Sequence, residues 1–291
     1  MLDIDSTEYR SKIDSVPFDF SHRLQASGFL QLSSIRRLAA TMARLRPDDV
    51  YYDAGRIDPG TRWHDMAPSG LSVDEALRDI ETADTWVILR RVHLDPEFAP
   101  MLDACMADIA EAGGPALTRR MRAREALVIV SSPRRVTAYH MDRECGFLLQ
   151  VQGNKQISLF DPTDRELLPE REIELFWTKD NNAPRYRPHL QARATVYELA
   201  PGRGVHIPIN APHWIQNGPD VSISVNINFL PSDNERANIY RANYHLRQIG
   251  LDPRPPFQSS FADACKRPLG QACYRLRQAY RATRGAMRRA G

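Results

Sequence analysis

The stretch from 202 to 217 reads Gly-Arg-Gly-Val-His-Ile-Pro-Ile-Asn-Ala-Pro-His-Trp-Ile-Gln-Asn. It contains two short runs rich in β-forming residues, 204–209 and 213–217, which are separated by Asn and Pro, residue types that favour turns. The pattern therefore predicts two strands joined by a tight turn. The second strand opens on His213, a residue type that often binds metal ions.

Similar runs continue on both sides of this stretch. Many short strands separated by turn residues are typical of a sandwich or barrel. The segment 161–193, which contains four prolines, is predicted to be an excursion over one end of the barrel that carries at least one strand. The predicted strands are 126–131, 136–142, 146–152, 155–160, 171–177, 194–199, 204–209, 213–217 and 221–229.

One predicted strand ends on His140-Met141-Asp142. Because residues i and i+2 of a strand point to the same face, the imidazole and the carboxylate should converge on one point inside the barrel. A structural histidine that is hydrogen-bonded to a neighbouring acid would give the same pattern. The interpretation as metal ligands therefore requires a third ligand elsewhere in the sequence. With His213, two imidazoles and one carboxylate would form a facial ligand set that suits Fe(II) and leaves open coordination positions.

The stretch 202–217 resembles the second motif of the cupin superfamily, in which fixed intervals separate a Gly, a Pro, a second Gly, the metal-binding His and an Asn. Every position fits except Asn210, which stands where Gly is usual and which tolerates the same left-handed turn. The resemblance implies that His213 binds metal together with His140 and Asp142. These three are the candidate catalytic and metal-ligating residues.

Gly146 stands where the first cupin motif commonly has a Glu as a fourth ligand. This departure makes the sequence similar to the JmjC-like, cupin-fold dioxygenases that use Fe(II) and 2-oxoglutarate, the group that contains the asparaginyl hydroxylase of hypoxia-inducible factor. The similarity covers 126–230. It implies a double-stranded β-helix, Fe(II) and 2-oxoglutarate as cofactors, and oxidation of a substrate with release of succinate and CO₂.

Three more residues occupy positions that match the co-substrate-binding residues of this hydroxylase. The resemblance implies that Lys155 and Thr137 bind the distal carboxylate of 2-oxoglutarate and that Asn226 lies near its metal end. Each residue has an alternative interpretation without a role in binding. Lys155 could be a solvated turn residue, Thr137 could be present because Thr favours β-strands, and Asn226 could hydrogen-bond a backbone group. A dicarboxylate requires a buried cation opposite its free end, and Lys155 is the only Lys between 126 and 178.

The predicted fold class is mostly β: a double-stranded β-helix, or cupin barrel, flanked by an N-terminal mixed α/β region and C-terminal helices. The predicted domains are a mostly helical region packing on the barrel (1–120), the barrel itself (121–231) and C-terminal helices with a basic tail (232–291). The segments 48–70, predicted to be irregular, and 161–193 are the candidates for the mouth that admits the primary substrate.

Two helices and a strand are predicted in the N-terminal region. Ser33-Ser34 should cap the first helix, and Gly113-Gly114 should end the second. The run 86–89, Trp-Val-Ile-Leu, is predicted to be a strand.

Composition excludes several classes of protein. A chain of 291 residues that is 42% hydrophobic can bury a large core. No apolar run approaches the roughly 20 residues that span a bilayer, and the polar, acidic N-terminus lacks the features of a secretory signal. The four cysteines form no CxxC pair and no disulfide framework. The expectation is a cytoplasmic protein that does not enter the membrane.

The net charge of +3 is unevenly distributed, because 266–291 carries eight Lys or Arg residues and no acid. Only this tail could contact nucleic acid; the alternative is a solvated amphipathic helix that packs through Leu276, Ala279, Tyr280 and Met287. Helices that follow a barrel pair subunits in such relatives, which would allow a homodimer.

The resemblance predicts a hydroxylase that acts on a protein side chain or a small molecule, or a demethylase if the oxidised carbon is an N-methyl group. Two alternatives stay open. A cupin metalloenzyme that does not use 2-oxoglutarate would leave Lys155 pointing away from the metal, and a cupin-fold binding or regulatory protein would lack catalysis. His206 is predicted as a structural strand histidine, with a role beside the metal or substrate as the alternative.

Overall fold

The computed structural model describes residues 1–13, 15–65, 70–231 and 236–290. The strands are β1 (Leu2–Asp3), β2 (Phe18–His22), β3 (Val50–Ala54), β4 (Thr85–Leu89), β5 (Met121–Ser131), β6 (Val136–His140), β7 (Cys145–Gln152), β8 (Lys155–Leu159), β9 (Thr195–Leu199), β10 (Arg203–Ile207), β11 (His213–Asn217) and β12 (Ser222–Pro231). The α-helices are α1 (Ser6–Lys12), α2 (Leu32–Leu45), α3 (Val73–Arg78), α4 (Ala99–Arg120), α5 (Glu170–Thr178), α6 (Arg236–Gln248) and α7 (Ser260–Ala290).

The strands form two antiparallel sheets. The larger sheet has the order β1-β2-β10-β7-β12-β5-β4-β3 and the smaller one the order β6-β11-β8-β9. The eight strands from β5 to β12 are divided equally between the sheets, and inward side chains of both sheets pack into one apolar core. This core cluster consists of Leu148, Ile157, Leu159, Leu199, Val205, Ile207, Ala211 and Ile215.

The prediction of a mostly β chain is only partly confirmed. Helices and helical turns occupy more of the described chain than strands do, and the predicted strand 171–177 is wrong because this segment forms α5. Its apolar residues alternate as in a strand, but Ile173, Phe176 and Trp177 are the ones that become buried, at the i, i+3, i+4 spacing of a helix face.

The N-terminal region differs from the prediction in two places. Residues 50–54, predicted to be irregular, form β3, which pairs with β4 at the edge of the larger sheet; residues 66–69 of the same predicted segment lie outside the described residues. The helix α2 begins one residue before Ser33 and has Gln31 at its N-cap, so the predicted serine cap is wrong. The predicted helix end at Gly113-Gly114 is confirmed only in part: Gly114 interrupts α4 with a φ of 77°, but a helical segment continues beyond it to Arg120.

The chain divides into two compact units, residues 1–162 with 186–232 and residues 163–185 with 233–291. The first unit contains both sheets. Within the second unit, α6 packs on α5 and on α7. The predicted domain boundaries at 120 and 231 remain predictions.

The basic helix α7 exposes much of its apolar surface. Leu276 and Tyr280 are 71% and 65% exposed, and Ala279 is exposed as well. The predicted packing through these three residues is therefore wrong, while the side chain of Met287 lies outside the described residues. Among the helices that the structure describes, none combines the length and hydropathy needed to cross a membrane.

Gly153 makes the turn between β7 and β8 with a φ of +69°, and a Cβ there would lie 2.6 Å from the carbonyl oxygen of Val221. We expect Gly153→Ala to lower the free energy of unfolding by about 2 to 4 kcal/mol, because backbone strain and steric overlap add. Gly55→Ala is the matched control, since Gly55 also has positive φ (102°) but open space around its Cβ position; it should cost only about 1 kcal/mol. Equal losses in urea denaturation would contradict this account.

Candidate metal centre

The predicted metal ligands meet at one end of the smaller sheet. His140 is the last residue of β6 and lies opposite His213, the first residue of β11, with ring centroids 4.2 Å apart. Asp142 follows β6 by two residues. The ligand atoms of the three side chains all lie within 4.8 Å of one another, and no other such cluster occurs among the residues searched, which are the described ones.

The turn before His213 is tied to the segment that carries Asp142. Asn210 has a φ of 62°, the left-handed conformation that its place in the motif requires, and its backbone N–H donates to the carbonyl oxygen of Asp142 at 3.1 Å. The Asn in place of the usual Gly thus keeps the turn geometry that brings His213 to Asp142.

Both histidines present the same nitrogen to the site. Nδ1 of His140 lies 2.7 Å from the carbonyl oxygen of Ala138, and Nδ1 of His213 lies 3.0 Å from that of Ala211. A carbonyl only accepts, so each Nδ1 carries the proton and each Nε2 offers a lone pair. Burial, and then the neighbouring His140, lower the pKa of His213 to about 4, which keeps this ring neutral at pH 7.

The triad shares one cavity with all three residues predicted to bind the co-substrate. Thr137, Lys155 and Asn226 line it together with the triad. The structure therefore brings all six predicted site residues together. Sequence reasoning missed the remaining lining residues, which are Trp86, Ile129, Ser131, Leu148, Ile207 and Ile215.

Lys155 is a buried amine without a counter-ion. Lys155 is the first residue of β8 and is only 4% exposed. No residue in the described part of the chain forms a hydrogen bond or an ion pair with its amino group. Burial lowers the pKa of Lys155 to about 7. The alternative of a solvated turn residue is wrong, and an uncompensated buried ammonium favours an anionic ligand.

Asn226 also has an unused polar atom. Its Oδ1 is buried and has no hydrogen-bond partner among the described residues. A Cβ at Gly146 would lie 3.7 Å from this oxygen and 3.3 Å from Oδ1 of Asn228, so the glycine leaves space beside both amides. The glycine at position 146 thus leaves room beside the amide of Asn226, which lines the cavity.

His206 lies outside the cavity. Its ring packs against Phe147 and Phe18 with centroids 4.8 and 5.0 Å away, and its Nδ1 lies 3.0 Å from the carbonyl oxygen of Gly146. Burial lowers the pKa of His206 to about 3, so it is a neutral core residue. The structural interpretation agrees with this geometry.

Both segments predicted to form the substrate mouth bring side chains to the triad region. The Trp63 ring lies 5.2 Å from the His140 ring. Gln191 Oε1 accepts a hydrogen bond from the indole of Trp214, the residue after His213, at 3.0 Å. Both contacts limit the freedom of a ligand histidine or of its neighbour.

Residues 72–235 match the family model of the cupin-like domain, and the chain belongs to this family. Among solved structures, an X-ray structure of E. coli ycfD has a TM-score of 0.53 at 14% identity. The alignment covers 94% of this chain and 68% of the ycfD chain. A structure of YcfD, a ribosomal oxygenase from Escherichia coli, in complex with cobalt and 2-oxoglutarate has a TM-score of 0.50 at 15% identity, with coverage of 94% and 67%. At this identity the likeness concerns the fold. No curated protein matches the chain.

Proposed function

We propose that this protein is an Fe(II)- and 2-oxoglutarate-dependent oxygenase, with His140, Asp142 and His213 as the metal ligands. The observation that carries the proposal is the buried, unpaired Lys155 in the same cavity as this triad. A metal site alone does not require a buried lysine, whereas the distal carboxylate of a dicarboxylic co-substrate requires a positively charged partner.

The donor set fits the metal. Two neutral imidazole nitrogens and one carboxylate oxygen form the ligand set of non-haem Fe(II) oxygenases, and three protein ligands leave positions for other groups. Fe(II) together with 2-oxoglutarate and O₂ supplies oxidative decarboxylation to succinate and CO₂, coupled to oxidation of a substrate C–H bond. The protein's part is to hold the imidazoles in one tautomer, through the carbonyl oxygens of Ala138 and Ala211, and to supply the one anionic ligand.

The rest of the cavity fits the co-substrate. The Lys155 ammonium and the Thr137 hydroxyl would bind the distal carboxylate, while the amide of Asn226 would lie near the metal end. The apolar side chains of Ile129, Leu148 and Ile207, which line the same cavity, would exclude water. The equal division of β5 to β12 between the two sheets supports the double-stranded β-helix that such a site requires.

The primary substrate would be a protein side chain or a small molecule. A protein substrate is favoured by the structural likeness to YcfD, which is described as a ribosomal oxygenase. The alternative of a cupin metalloenzyme that does not use 2-oxoglutarate predicts that Lys155 points away from the metal site, but Lys155 lines it.

Succinate formation tests the proposal. The purified chain with Fe(II), ascorbate and 2-oxoglutarate should convert 2-oxoglutarate to succinate, slowly alone and faster with a peptide that contains the substrate side chain, as followed by NMR. Omission of iron should stop the reaction. If no succinate forms, alone or with a peptide library, while the protein still binds iron, the metalloenzyme that does not use 2-oxoglutarate gains support instead.

A further inference from the structure

Ser131 places a buried hydroxyl in the wall of the cavity that Lys155 also lines. It is the last residue of β5, is 3% exposed and lines the cavity. The only hydrogen-bond partner of the Ser131 hydroxyl in the described part of the chain is Asn217, whose Nδ2 lies 2.9 Å from Ser131 Oγ. Asn217 lies directly opposite Lys155 in the pairing of β11 with β8, so the two side chains share one face of the smaller sheet.

The direction of this hydrogen bond is fixed by a second contact. The same Nδ2 of Asn217 lies 3.1 Å from the carbonyl oxygen of Ser132, which can only accept. The amide nitrogen of Asn217 must therefore face the two serines, and the Ser131 oxygen must be the acceptor. The hydroxyl proton of Ser131 is left without an acceptor among the described residues, inside a cavity that also contains an unpaired ammonium.

We propose that Ser131 donates this proton to the distal carboxylate of 2-oxoglutarate, beside Lys155 and Thr137, and that Asn217 is the positioning residue that directs it. The inference rests on the proposed function. A carboxylate has room for three such donors, since its two oxygens offer about four lone-pair sites. With Ser131, the cavity would recognise the second carboxylate of a dicarboxylic 2-oxo acid rather than 2-oxo acids in general.

Binding, rather than turnover, tests the inference. The full chain is loaded with Zn²⁺ in place of Fe(II) and titrated by calorimetry with 2-oxoglutarate and with pyruvate, which has the same 2-oxo acid group and lacks the distal carboxylate. Ser131→Ala should weaken 2-oxoglutarate binding about tenfold or more, as expected for a lost hydrogen bond to a charged group, and change pyruvate binding less than twofold. Ser132→Ala is the matched control, because the Ser132 hydroxyl donates to the carbonyl oxygen of Ile80, away from the cavity.

Asn217→Ala tests the positioning role in a double-mutant cycle. As a single substitution, Asn217→Ala should lower the preference for 2-oxoglutarate over pyruvate, and in the Ser131→Ala background it should have no further effect on this preference. If Asn217 had only a structural role, its substitution would weaken the binding of both ligands in both backgrounds. If the unaltered protein prefers 2-oxoglutarate and Ser131→Ala keeps that preference, the inference is overturned and the proposed function stands. If the unaltered protein shows no preference for 2-oxoglutarate, the proposed co-substrate itself is overturned.

Discussion

Replacement of Asp142 by alanine is expected to remove iron binding and with it the formation of succinate. Asp142 is the only carboxylate of the triad, and only the two imidazoles remain without it. The affinity for Fe(II) should fall by more than about 100-fold, since the loss of a supporting residue beyond the ligands already costs 10 to 100-fold. Anaerobic equilibrium dialysis measures the affinity, and NMR measures succinate.

The fold should survive this substitution. The Asp142 side chain is about a third exposed, and the contact of this residue with Asn210 is made by its backbone oxygen, which alanine keeps. The thermal unfolding midpoint of the metal-free variant should therefore match that of the metal-free unaltered chain. Asp220→Ala, in an exposed turn, is the control and should bind iron normally. Unchanged iron uptake in the Asp142 variant would remove the basis of the proposed oxygenase.

The triad could be predicted from the sequence because each part of it depends on local geometry. Alternation along a strand aims His140 and Asp142 at one point, and a left-handed turn at Asn210 is required directly before His213. Lys155 follows the turn at Gly153, so its place on β8 is also a local consequence.

The residues that sequence reasoning missed reach the site through long-range pairing. Trp86 lines the cavity only because β4 pairs with β5, where it lies opposite Ser131. The hydrogen bond from Asn217 to Ser131 likewise joins residues from different sheets. Neither contact leaves a periodic signal in the sequence. The error at 171–177 has another cause, since its apolar residues satisfy both the strand period and the helix period and only packing decides between them.

Replacement of Lys155 by methionine is expected to stabilise the ligand-free protein and to reduce sharply its selectivity for 2-oxoglutarate. Burial lowers the pKa of Lys155 to about 7 from the 10.5 of a free side chain, so the folded state disfavours a charge that the unfolded state holds freely. Methionine fits the same space without a charge, and the free energy of unfolding at pH 7 should rise by about 2 to 4 kcal/mol. The same variant should lose most of its preference for 2-oxoglutarate over pyruvate.

The dependence of stability on pH separates this charge effect from improved packing. Because the folded pKa lies below the unfolded one, the unfolded chain binds more protons between pH 7 and 10.5, and the stability contributed by this site rises with pH across that window. The Lys155→Met variant should lack this rise, so its advantage should shrink towards pH 10. Lys12→Met, which removes a partly exposed lysine paired with Glu8, should keep the slope of the unaltered chain. A constant advantage at every pH would mean that Lys155 is not strained by burial, and the main argument for an anionic co-substrate would be lost.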